Sequence, residues 1–212
     1  MRRVAVPLAL AAALAVTVLP GAAAAAPAGE PGRADPVRFA TYNASLNRGA
    51  AGRLVTDLST PANAQAGAVA EVIQRTRPDV LLVNEFDYDA GHVALRLFQD
   101  NYLSVSRNGS TPIDYPYAYT APSNTGVPSG LDLNNDGTVG GPDDAYGFGF
   151  FPGQFGMAVY SKFPIDYDAI RTFQLFRWAD MPGALIPPGW FTPQELATVR
   201  LSSKSHWDVP IE

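Results

Sequence analysis

Cysteine is absent from the 212 residues and histidine occurs only twice, at His92 and His206. The first absence excludes disulfide staples, thiolate metal sites and cysteine nucleophiles, so the fold must rest on its core or on bound ions. The second leaves few imidazoles for acid–base work. Charge is also sparse, at 17% of residues, with no extended basic cluster and a formal net charge of −5. An acidic surface repels phosphate backbones and disfavours sequence-independent nucleic-acid binding, leaving nucleic acid as a disfavoured partner.

What is present begins with a leader. Arg2 and Arg3 precede an apolar run from Val4 to Leu19, which Pro20-Gly21 interrupts before the small residues Ala22 to Ala26. The run is shorter than the ~20 residues a bilayer needs and no charged stop follows it. The pattern predicts a cleavable export signal over residues 1–26, a secreted product starting near Ala26 or Pro27, and no stable membrane anchor after cleavage. Loss of Arg2 and Arg3 takes the charge from −5 to −7. Residues 27–36 form a Pro/Gly-rich lead-in without periodicity, expected to be disordered. Residues 37–212 are long enough for one domain with a core. No pattern signals an oligomeric state.

Periodicity then suggests an α/β unit. Val37 to Tyr42 reads as a strand closed by Asn43, and Thr60-Pro61 as a helix start. Ala66, Val69, Ala70 and Ile73 fall on one helix face, and Pro78 stops it. Val80 to Val83 is a short apolar run of the kind buried on both sheet faces. A strand–helix–strand crossover makes its two strands parallel, so Asn43 and Glu85 emerge at one sheet edge, where such sheets bind ligands. A second helix is expected over Val93 to Asp100, a strand over Gly156 to Tyr160, and a capping box at Thr192 to Glu195. The stretch from Ser104 to Gly153 is too long for a plain connection.

Glu85 heads the acidic group Glu85, Asp87 and Asp89. A carboxylate at a strand end suits a hard divalent cation, and it equally fits a solvated acidic turn. Asp132, Asn134, Asp136 and Gly137 match positions 1, 3, 5 and 6 of a calcium loop, with Thr138 as the backbone-carbonyl ligand and Asp143 at position 12. The alternative is an Asn-Asp-Gly turn that binds nothing. His92 reads as a solvated or capping residue. His206, beside Ser205, Trp207 and Asp208, is a candidate acid–base group. Tyr115, Tyr117 and Tyr119 alternate as one face of a strand would.

Three segments carry a resemblance: Thr41-Tyr42-Asn43, the run from Arg77 to Glu85, and the run from Gly156 to Ile165. Their order and spacing resemble the endonuclease/exonuclease/phosphatase family, and Arg200 to Pro210 is similar to a segment of its secreted bacterial members. The resemblance implies a four-layer α/β sandwich and Mg²⁺-dependent hydrolysis of a phosphate-ester substrate. It makes Asn43 the phosphate-binding residue and Glu85 the magnesium ligand. Asn84 stands where the family usually has Gln. The family's strand-borne His, Asp-x-Asn pair and final Asp-His have no counterpart, which implies a domain incomplete at its C-terminus and a chain inactive by itself. The rival expectation is a non-catalytic, Ca²⁺-stabilised extracellular binding or vestigial domain.

Overall fold

The computed structural model describes residues 35–212. The export signal and most of the lead-in therefore lie outside the described residues. Strand β1 (Phe39–Leu46) is followed by helices α1 (Arg53–Leu58) and α2 (Ala64–Thr76), then β2 (Val80–Phe86) and α3 (Val93–Phe98). A π-helical turn at Gln99–Leu103 extends α3. After a long irregular stretch come β3 (Tyr117–Tyr119), β4 (Met157–Ser161), β5 (Arg171–Thr172), α4 (Pro193–Leu196) and β6 (Trp207–Asp208).

One four-stranded sheet has the order β1-β2-β4-β3, and β5 pairs with β6 in a second, two-stranded sheet. Helices with two sheets of this kind form a mixed α/β fold, as an α/β sandwich requires. β1 and β2 are parallel neighbours, as the crossover demands, whereas β4 runs antiparallel to β2. Helices α1 to α3 cover one sheet face. Ala66, Val69, Ala70 and Ile73 are all buried there, against Leu81, Val83 and Tyr160. Buried Gln74 is fully engaged: its Nε2 donates to the Leu103 and Val105 carbonyls at 2.9 and 2.8 Å, and its Oε1 accepts from Arg107 N–H at 3.1 Å. That explains a polar residue inside the helix–helix layer.

Several boundaries depart from the sequence expectation. Asn43 does not close β1, which continues to Leu46 through a bulge. Helix α2 starts after Asn63, whose Oδ1 accepts from Ala66 N–H at 3.0 Å, so the cap is three residues beyond Thr60. Asx caps outrank a Thr-Pro pair when the chain must first turn, and propensity alone cannot place that turn. Leu82 is half-buried rather than buried. The capping box at Thr192 forms as expected, with Pro193 at the first helical position.

Asp79 fastens the end of the sheet opposite the bulge. Its carboxylate accepts from the Arg38 backbone N–H at 2.8 Å and pairs with Lys162 at 2.8 Å, joining the starts of β1 and β2 to the end of β4.

Candidate active site

The bulge decides where Glu85 points. Asn43 is opposite Asn84 and Leu46 is opposite Phe86, so two residues of β1 face Glu85 alone. Ser45 and Glu85 both adopt left-handed backbone, with φ of 49° and 57°. Such values are uncommon outside glycine and cluster where function over-determines the backbone. Along β2 the residues buried in the main core cluster are Leu81 and Val83, then Phe86, so the inward face changes phase at Glu85. Its side chain thus leaves the regular alternation at the sheet's carboxyl edge.

The acidic group predicted around Glu85 disperses in the fold. Asp89 caps α3, accepting from Val93 and Ala94 N–H at 2.8 and 2.9 Å. Asp87 is buried and accepts from Arg48 N–H at 2.7 Å and Phe155 N–H at 3.0 Å, tying together the loops after β1, after β2 and before β4. Burial pushes its carboxyl up to about 6, although both amides and the Arg48 and Lys204 charges oppose the rise. Buried Gln154 reinforces the junction, donating to the Arg48 carbonyl at 2.7 Å. Only Glu85 is left for a ligand. Its Oε2 accepts from Asn47 Nδ2 at 3.1 Å.

A cavity of about 240 Å³ opens beside it, lined by Glu85, Thr125, Phe148, Phe155, Ser203 and Lys204. Burial lowers the Lys204 pKa, and the Glu85 and Asp87 carboxylates act in the opposite sense. Sequence reasoning missed Asn47, Gln154 and Lys204. Asn47 follows a bulge that no periodicity reveals, and Lys204 arrives from 119 positions further along the chain than Glu85.

The remaining candidates are placed as follows. Asn43 is exposed at the same sheet end, with Oδ1 accepting from Ser45 N–H at 3.1 Å. That bond uses the amide oxygen and leaves the NH₂ as the group with donors to offer. His206 is also exposed, but lines a different cavity of about 410 Å³ with Phe39, Val80, Leu82 and Trp207, which contains no carboxylate. His92 occupies the N-cap position of α3, with its ring against Tyr88 and no capping bond of its own. Neither histidine therefore joins Glu85. Tyr115 lies before β3, in the core, and donates its OH to the Pro78 carbonyl at 2.8 Å, while Tyr119 within β3 packs on Trp207, so the three do not form one strand face.

A hard cation fits Glu85 on its donor chemistry: one carboxylate, oriented by Asn47 Nδ2 at 3.1 Å, suits an ion that keeps several waters. Among the described residues no group of three or more His, Asp or Glu gathers as metal ligands. Any ion at Glu85 would complete its shell with water and substrate oxygens.

The calcium-like loop is curled but open. Asp132 accepts from Asp136 and Gly137 N–H at 3.0 and 2.8 Å, Asn134 Oδ1 from Asp136 N–H at 3.0 Å, and Asp136 Oδ1 from Thr138 N–H at 2.8 Å. Asp143 is exposed. Its neighbour Asp144 instead folds inward and accepts from Leu133 and Gly140 N–H at 2.7 and 2.8 Å. Burial would raise the Asp144 pKa, yet these amides hold it below the ordinary carboxylate value.

Comparisons with curated proteins and with solved structures give no match. The sequence model of the endonuclease/exonuclease/phosphatase family matches residues 40–208. That span contains both parallel strands, the bulge, Glu85 and Lys204, and on it the chain belongs to the endonuclease/exonuclease/phosphatase family.

Proposed function

We propose that this protein is an exported phosphoesterase that works with a divalent cation, Mg²⁺ for preference, held at Glu85. The observation carrying the reading is the Glu85 carboxylate itself. It is re-aimed by a left-handed residue, oriented by Asn47, and placed at the carboxyl edge of two parallel strands of a phosphoesterase family. A bound cation supplies Lewis-acid stabilisation of a phosphate oxygen. Asn47 fixes the carboxylate's direction, Asn43 offers its amide NH₂ to a phosphate oxygen, and Asp87 immobilises the three loops beneath. Export is supported by the Arg2-Arg3 leader and the small residues up to Ala26. A phosphate monoester or small diester suits the acidic chain better than a nucleic-acid polymer.

The test is cation binding followed by activity. Mg²⁺ titrated calorimetrically should bind the wild type and not Glu85→Gln. Asn47→Ala should weaken binding by roughly 10–100-fold, as loss of an orienting partner does. Equal Mg²⁺ affinity in all three proteins would refute the assignment. Hydrolysis of a nitrophenyl phosphodiester, if seen, should vanish with Glu85→Gln.

A second reading is favoured by the loop at residues 132–143, where Asp132, Asn134 and Asp136 point oxygens at the same short turn. In it the protein is a non-catalytic domain stabilised by Ca²⁺ at that loop. Both histidines lie apart from Glu85, which suits this reading as well.

A further inference from the structure

We propose that Lys204 is the phosphate-binding cation of this protein. The cavity it shares with Glu85 receives a single phosphoryl group, and Phe148 forms the wall for the organic group esterified to it. The proposal rests on the phosphoesterase reading above, but not on the metal.

An ammonium has three N–H donors. The Lys204 Nζ donates to the Phe155 carbonyl and forms no ion pair with Glu85 or Asp87. Both carboxylates nevertheless lie near enough to favour its charge. A half-buried cation lining a cavity, with donors to spare, is placed for an anion that the protein itself does not supply. Long lysines often lie along apolar surface and send the charged end out to water. Here the charged end instead turns to a backbone carbonyl at the cavity wall.

The position is held rigidly. Buried Asn124 donates its backbone N–H to the Lys204 carbonyl at 2.9 Å, and its side chain donates to the Ser202 and Gln174 carbonyls at 2.8 and 2.7 Å. Gly147 packs so closely against the Ser203 carbonyl that a Cβ would collide with it. A donor fixed in this way needs no reorganisation when charge arrives.

Electrostatics and shape agree. A phosphoryl group approaching Glu85 alone would be repelled, and with an overall charge of −5 only a local cation reverses that sign. At about 240 Å³ the cavity is smaller than the ~300–1,000 Å³ of typical drug-sized pockets, which suits one phosphoryl group. Phe148 lies against Phe150 and Phe155 at centroid distances of 5.6 and 6.2 Å, and is itself half exposed. These rings offer an apolar wall, so the substrate class is a phosphate ester of an aromatic or otherwise planar apolar group.

The experiment measures equilibrium binding of inorganic phosphate and phenyl phosphate, in chelator and in Mg²⁺. The proteins are wild type, Lys204→Met, Lys204→Arg and Glu85→Gln. In chelator the wild type should bind phenyl phosphate, Lys204→Met should lose roughly tenfold to hundredfold, and Lys204→Arg should recover most of the loss. Glu85→Gln should bind the anion at least as well as wild type in chelator. Wild-type affinity in Lys204→Met, or no binding of either probe by wild type, overturns the proposal while leaving the Mg²⁺ titration at Glu85 to stand or fall alone. If Mg²⁺ ignores Glu85 while Lys204→Met still loses the anion, the metal reading fails and this one holds. A second measurement needs no variant: phenyl phosphate should slow reductive methylation of Lys204 in the folded wild type, followed by mass spectrometry. An unchanged rate overturns the proposal.

Discussion

Asp79 shows how much one side chain organises at the sheet's other end. Its carboxylate holds Lys162 and the Arg38 backbone amide at once. The Lys162 hydrogen bond, then the Arg38 amide, keep its pKa below the ordinary value of 3.8 against the opposing effect of burial. A folded pKa below the unfolded one means stability that is present above 3.8 and lost as pH falls through the folded value. Acid unfolding of the wild type should therefore gain a component that Asp79→Asn lacks. The two proteins should differ by roughly 1 kcal/mol near neutral pH, after solvent screening, and converge at the acid end. Parallel melting curves at every pH would show that Asp79 contributes nothing through its charge. At this scale the sequence was partly legible. Glu85 stood out because four apolar residues precede it, but the roles of Asp87 and Asp89 did not, since both look like solvated acids until their backbone partners are known. Asn47 and Lys204 were illegible because a bulge and a long-range approach place them.

Among the elements, the loop at residues 132–143 offers the clearest measurement. Asp132 and Asp136 stand at one turn with backbone amides between them, and a divalent ion would relieve their mutual repulsion. Because the unfolded chain lacks this arrangement, binding adds to stability by mass action, ~2.7 kcal/mol at 100 times Kd. With Kd values of ~10⁻⁴–10⁻³ M, as in many extracellular modules, millimolar Ca²⁺ should raise the melting temperature by a few degrees at most. Mg²⁺ should do less, because it dehydrates reluctantly. Asp136→Ala should abolish the response, and a wild type indifferent to Ca²⁺ would mark the loop as a plain turn. The β1–α2–β2 unit was readable because period and strand length survive in its residues. The start of α2 was not, since Asn63 caps only after a turn that Thr60-Pro61 begins, and α1 is too short to show a period.

Across the whole molecule, distant segments are joined by close approaches that leave no room for a side chain. Gly147 lies against the Ser203 carbonyl and Gly126 against the Phe151 backbone. Gly147→Ala should displace residues 202–204, costing about 1–3 kcal/mol as overpacking does. It should also weaken phenyl phosphate binding, although position 147 does not line the cavity beside Glu85. An unaltered melt together with unaltered anion affinity would show that the segment tolerates the shift. Such contacts have no local signature, so a glycine in a glycine-rich stretch reads only as a turn. The same C-terminal segment carries a feature with an optical consequence. Trp207 lies edge-on to Tyr119 at 5.0 Å, its indole Nε1 buried without a hydrogen-bond partner among the described residues, while Trp190 is half exposed. An indole so shielded emits at shorter wavelength than a solvated one, and a phenol at that separation can pass excitation to it. Trp207 is thus a native fluorophore seated three residues from Lys204, and with Trp178 and Trp190 replaced by Phe its colour reports whether the segment that carries the lysine is docked.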